Sequence, residues 1–193
     1  VGVFLNTALH TEDQDQLGMS HFLEHMCFRG TTRRTSYQIT HEIDALGGYI
    51  NAFTSKEYTC YYITILPECF DEGVDILFDV VFNSVLKDDA IQLEKSIISE
   101  EIKMYEDTPD EKIYDVFNQK MYAKSFLGLP ILGTHKSISK FNSERLKHYY
   151  KQYFNVKNVS IVLAGNLPKS KILKQILSKK LSYYSFHSSS ISK

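Results

Sequence analysis

Apolar residues recur along this chain with two different periods, and the periods divide it into strands and helices. Val1-Gly2-Val3-Phe4-Leu5 opens a strand-like stretch over residues 1–9, which runs into a polar loop from His10 to Gln16. Residues 49–54 and 58–65 are dense in aromatic and β-branched side chains, and Ser55-Lys56-Glu57 joins them, which predicts a hairpin. Residues 158–165 read as a short strand of the buried type. Elsewhere the spacing is helical. Phe22, Leu23 and Met26 supply the apolar contacts of a helix that follows Leu17-Gly18 and ends at Gly30-Thr31-Thr32. Thr35 and Gln38 hold the reciprocal positions of a capping box, and the helix after them passes Ile39, Ile43 and Leu46 before stopping at Gly47-Gly48. Pro67 precedes a helix over 68–86, with Phe70, Val74, Leu77, Phe78, Val81 and Val85 at helical spacing. Asp88 or Asp89 caps the next helix, which continues to about Tyr105. Asp107-Thr108-Pro109-Asp110 breaks that helix and starts another through Val116, Phe117 and Met121. Residues 127–134 are rich in turn formers, 142–154 form an amphipathic helix, and Pro168 opens a lysine-rich helix to about Leu181. This order predicts an α+β fold, a mixed, mostly antiparallel sheet with helices packed on one face.

Composition narrows the classes of partner. The 193 residues suffice for one sizeable core, and 43% hydrophobic with 23% charged residues is ordinary for a globular chain. A net charge of −1 points neither to nucleic acid nor to an anionic membrane. The sequence has no apolar run of about 18 residues that could span a bilayer. Cys27, Cys60 and Cys69 form no Cys-x-x-Cys pair, which favours buried free thiols, a reducing compartment and a cytoplasmic location. The first residue is Val1, already inside a strand pattern, so the reading expects a missing N-terminal piece that could have carried a targeting segment.

One stretch carries chemistry. Ser20-His21-Phe22-Leu23-Glu24-His25-Met26 reads His-x-x-Glu-His. Residues four apart on a helix share a face one turn apart, so His21 and His25 can bind one Zn²⁺ at about 2.0–2.1 Å each. A carboxylate beside them, Glu24, can take a proton from a zinc-activated water. The pattern is the inverzincin signature. By itself it also fits a polar helix face bearing two histidines. The predicted helix from Asp88 offers Glu94, Glu100 and Glu101 as further carboxylates. Glu94 and Glu101, seven apart, share a face, and Glu100 is turned about 100° from Glu101. Cys27 falls on a different face from the histidine pair and reads as packing. His10, His41 and His148 have no partner at ligand spacing.

With Met26-Cys27-Phe28-Arg29-Gly30-Thr31 following the motif, the chain resembles the pitrilysin/insulinase family of zinc peptidases, especially its bacterial processing-peptidase-like members. Gly47-Gly48-Tyr49-Ile50-Asn51-Ala52-Phe53-Thr54-Ser55 is similar to a family hairpin. Residues 99–110 resemble the stretch carrying the third ligand, and 127–134 and 158–166 follow in family order. One departure is Ser125-Phe126, where bacterial relatives usually have a histidine. The resemblance implies a processing-peptidase-like metallohydrolase fold and one zinc held by His21, His25 and Glu101. It gives Glu24 the role of general base and Glu94 that of supporting a ligand from behind. The family's third ligand lies about 76 residues after the second histidine, which selects Glu101. An extended or unfolded polypeptide would dock on Asn51, Ala52, Phe53 and Thr54. The resemblance further implies that residues 1–181 are an N-terminal catalytic half, truncated at its start. Residues 182–193 would then be a Ser-rich tail or linker toward a second homologous half or subunit. The isolated piece is expected to be poorly active.

Two other functions compete. A non-catalytic, structural or substrate-handling member of the same family would have lost motif residues, whereas His21, Glu24, His25 and Glu101 are all in place. The S-ribosylhomocysteine lyases also use His-x-x-Glu-His but complete their site with a cysteine, and the family-order segments here run far past that enzyme's length.

Overall fold

A computed structural model describes residues 1–167 and 169–190. Four strands form one sheet in the order β2-β3-β1-β4, with β1 at Gly2–Leu5, β2 at Tyr49–Thr54, β3 at Thr59–Thr64 and β4 at Val159–Val162. Every pairing is antiparallel, so the mixed component expected of the sheet is not found among the described residues. Register aligns Ala52 with Tyr61, Tyr61 with Val3, and Val3 with Ile161, and this row faces the core. Val3, Leu5, Thr59, Tyr61 and Ile63 are buried there, while Tyr49 and Phe53 on the opposite face are exposed.

Helices cover the buried face. The motif helix α1 spans Met19–Cys27, α2 spans Ser36–Ala45 and α3 spans Phe70–Phe82. Phe22, Leu23, Met26, Ile39, Ile43, Val74, Leu77 and Phe78 form one continuous core with the sheet residues. The α2 capping box is present, with Gln38 Oε1 accepting from Thr35 N–H at 2.9 Å. Then come α4 at Asp88–Glu106, α5 at Pro109–Met121, α6 at His135–Ser139, α7 at Ser143–Tyr153 and α8 at Ser170–Ser190.

Several boundaries and faces differ from expectation. Helix α3 stops at Phe82 instead of near 86, because the Asn83 side chain turns back to donate to Asp79 Oδ1 (2.8 Å). The N-cap of α4 is Lys87, so Asp88 and Asp89 lie in the first turn, where their charges oppose the helix's positive end. Strand β4 is a half-buried edge, not a buried strand, since among the described residues it pairs only with β1. Helix α8 continues past Leu181 to Ser190, with Tyr184 buried against Phe78 and Phe82, so the tail expected from residue 182 is helical at least that far. Pro168, expected to open that helix, and residues 191–193 of the tail lie outside the described residues. Helix α5 buries none of its residues, and Val116, Phe117 and Met121 point outward.

Candidate active site

Helix α1 puts His21 and His25 one turn apart, with ring centroids 4.6 Å from each other. Helix α4 crosses beside it and brings Glu101 to both. His21 Nε2 is 3.7 Å from Glu101 Oε1, and His25 Nε2 is 3.7 Å from Glu101 Oε2. One donor atom from each of the three residues lies within 4.8 Å of the other two. Two ligands at about 2.0–2.1 Å from a tetrahedral zinc stand roughly 3.4 Å apart, so the two 3.7 Å His–Glu101 distances are close to ligand spacing, while the set as a whole would draw in from its 4.8 Å span. His21 Nδ1 and Glu101 Oε2 are buried without a hydrogen-bond partner. Such atoms are costly unless something satisfies them. At Glu101 a cation between the three side chains would do so, and the donor set of two imidazoles and one carboxylate suits zinc.

The neighbouring carboxylates separate by environment. Glu100 is exposed and receives Lys103 Nζ at 2.6 Å, so it turns away from the histidines. Glu94 is fully buried; its Oε2 lies 3.3 Å from His25 Nδ1, and its Oε1 pairs with Arg29 Nε. A proton on Nδ1 donated to Glu94 leaves the Nε2 lone pair facing Glu101, the tautomer a metal ligand needs. Burial opposes ionisation of Glu94, but the hydrogen bonds from His25 and Arg29 outweigh it, and its pKa falls. Desolvation also opposes charging His25, yet Glu94, Glu101 and Glu24 together raise its pKa. His21 is pulled down to about 3 by burial, with the nearby charge of His25 adding to the effect. His21 is therefore a neutral imidazole at ordinary pH, as a ligand must be.

Glu24 has a different role available. Its Oε2 accepts a 2.5 Å hydrogen bond from Thr54 Oγ1, at the end of β2. Burial raises its pKa most, and the charge of Glu101 adds, against the opposing effects of Thr54 and His25. His21 and Glu24 line a cleft of about 440 Å³, walled by Phe53 and Thr54 on one side and by Ile131 and Leu132 on the other. Ala52 also lines it, and Ala52 N–H donates to Asn51 Oδ1 at 2.8 Å. Strand β2 is an edge of the sheet, as its proposed use as a docking strand requires.

Sequence reasoning brought together His21, Glu24, His25, Glu94 and Glu101, and it missed Arg29 and Lys56. Arg29 is four residues after His25, a spacing that could have flagged it. Lys56 at the hairpin tip donates to the carbonyls of Leu127 (2.5 Å) and Leu129 (3.2 Å), and so ties β2 to the opposite wall of the cleft. No local pattern signals a contact between segments so far apart in the chain.

Residues 1–135 match the family model described as Insulinase (Peptidase family M16). The chain belongs to the insulinase family, peptidase family M16. It is 41% identical over 172 residues to an uncharacterized zinc protease, YmxG, of Bacillus subtilis, covering 89% of this chain and 42% of that one. An uncharacterized zinc protease of Rickettsia felis is 40% identical over 162 residues, covering 84% and 39%. The chain thus spans about two fifths of the length of these M16 relatives. A protease from Helicobacter pylori superposes with a TM-score of 0.86 at 21% identity, over 92% of this chain and 43% of that one. The periplasmic protease PqqL of Escherichia coli does so at 0.84 and 18%, over 94% and 21%. These two likenesses establish the fold, which is that of M16 proteases. No helix among the described residues is long and apolar enough to cross a membrane.

Proposed function

We propose that this chain is the metal-binding part of a zinc metalloendopeptidase that cleaves extended or unfolded polypeptides. His21, His25 and Glu101 hold one zinc, and Glu24 is the general base. The observation that carries this reading is the convergence of the three donors, one with an orphaned buried oxygen, beside the half-buried carboxylate of Glu24, which lines a cleft. When bound, zinc supplies Lewis acidity toward water and toward a peptide carbonyl.

The side chains do the rest. Thr54 holds Glu24 Oε2, which leaves Oε1 to receive the proton of the attacking water. Burial makes Glu24 a stronger base than an exposed glutamate, and its protonated form can then give that proton to the leaving amine. Glu94 fixes the orientation of His25, and Arg29 fixes Glu94. An extended substrate adds to the free edge of β2 along Asn51, Ala52, Phe53 and Thr54, where backbone hydrogen bonds hold it without reading its sequence. The remaining three fifths of the relatives' length suggests a second homologous half or subunit that closes over the cleft, so the chain by itself binds metal but turns over slowly. A non-catalytic member would be expected to have lost motif residues, whereas His21, Glu24, His25 and Glu101 are all present in the sequence.

The docking strand is tested by Ala52→Pro, measured in the protease with its second half present. An edge strand tolerates proline where the N–H faces outward. KM is expected to rise at least tenfold while zinc content and the unfolding midpoint stay near wild type. Loss of the fold with the proline would show instead that this strand is structural only.

A further inference from the structure

The N-terminus of the metal helix has no cap of its own. The N-cap of α1 is Gly18, at φ +88°, and no side chain there can reach back to the first turn. Nor could one be accommodated: a Cβ on Gly18 would lie 2.7 Å from Leu132 O and 2.8 Å from Gly133 Cα. The wall of the cleft packs directly on this backbone. Four N–H groups at a helix start need acceptors, and a cap worth about a kilocalorie is ordinarily supplied by the N-cap side chain.

Glu12 supplies it from outside the helix. Its Oε2 accepts from Gly18 N–H at 2.8 Å, and its Oε1 accepts from Ser20 N–H at 2.7 Å. Both oxygens of one carboxylate are thereby committed to the residues just before His21. On the far side of this turn, Ser20 Oγ lies 2.9 Å from Tyr149 Oη, which also reaches Thr7 and Thr11 at 2.8 Å each. Ser20 is thus held by its backbone from Glu12 and by its side chain from α7. His21 is the third residue of α1, so a cation it binds sits beside the positive end of the helix macrodipole. The negative charge of Glu12 offsets that unfavourable field.

We infer that Glu12 is a positioning residue for the metal site: its carboxylate caps α1, holds the first turn against the cleft wall, and keeps His21 where it can share an ion with His25 and Glu101. This rests on the proposed ligand set, but its test is separable from that reading. Loss of zinc binding in His21→Ala establishes the ligand first. Glu12→Gln then keeps the shape and removes the charge and one acceptor. Zinc affinity, measured by chelator competition on the purified chain at a temperature where circular dichroism shows it fully folded, is expected to fall at least about tenfold, as for other residues that orient ligands. The d–d absorption of the Co²⁺-substituted chain is expected to change shape. Ile43→Ala, which hollows the core away from the site, lowers the unfolding midpoint as well but leaves both metal readouts unchanged. Should Glu12→Gln fail to fold, Glu12→Asp retracts the carboxylate by one methylene so that it cannot reach both N–H groups, and a several-fold loss of affinity is expected. Wild-type zinc affinity and an unchanged Co²⁺ spectrum in a folded Glu12 variant would overturn the inference and leave Glu12 a stabiliser of the fold alone.

Discussion

Glu24→Gln is expected to keep zinc and abolish nearly all peptide hydrolysis. General-base catalysis contributes about 10²–10⁴-fold. The substitution also removes the carboxylate that lines the cleft beside His21 and that Thr54 holds through Oε2. Glutamine has nearly the same shape, and its carbonyl oxygen can still accept from Thr54, so the β2–α1 contact survives. Turnover of an unstructured peptide by the protease with its second half present, with zinc content measured on the same sample, separates the roles. Loss of zinc together with activity would make Glu24 a ligand instead of a base.

Asp79→Ala is expected to cost the fold about 3 kcal/mol, the low end for breaking a buried ion pair. Asp79 is fully buried and accepts from Arg34 (2.9 Å), Thr31 Oγ1 (2.7 Å) and Asn83 Nδ2 (2.8 Å). Removing it leaves Thr31 and Asn83 unsatisfied. Arg34 retains Glu42 (2.8 Å) and Asp75 (3.0 Å), which limits the loss. Thr31 closes the turn after α1, so this cluster anchors the C-terminal end of the metal helix as Glu12 anchors its start. Asp75 is less buried, and Asp75→Ala is expected to cost at most about 1 kcal/mol. Urea unfolding at neutral pH compares the two, and equal losses would contradict the assignment of Asp79 as the buried anchor.

Much of the site was legible because its information is local or periodic. The i, i+4 spacing of His21 and His25 and the seven-residue spacing of Glu94 and Glu101 follow from helix geometry, and both pairs share a face in the structure. The same geometry turned Glu100 outward, where Lys103 neutralises it. The Thr35–Gln38 box was readable because both partners lie within one turn. What the sequence could not reveal depends on contacts between distant segments. Whether a strand is an edge depends on pairing order, so the apolar run of β4 reads as a buried strand, whereas an edge position for β2 follows only from the need of a docked extended chain for free backbone hydrogen-bonding groups. The apolar residues Val116, Phe117 and Met121 mark α5 as a helix but face outward, since a 3.6-residue period locates a stripe without saying what covers it. The run of serines after Leu181 suggested a linker, yet burial of Tyr184 against Phe78 and Phe82 carries α8 onward, a case of tertiary packing overriding local propensity. Glu12 lay in a stretch read as polar loop, and only the folded chain brings it to Gly18 and Ser20.

The central claim is that His21, His25 and Glu101 bind one zinc. Metal content after exhaustive dialysis of the wild-type chain, Glu101→Gln and Glu100→Gln tests it most directly. One zinc per chain is expected in the wild type and in Glu100→Gln, with most of it lost from Glu101→Gln. Zinc retained in Glu101→Gln but lost from Glu100→Gln would contradict the ligand set on which the proposed function rests.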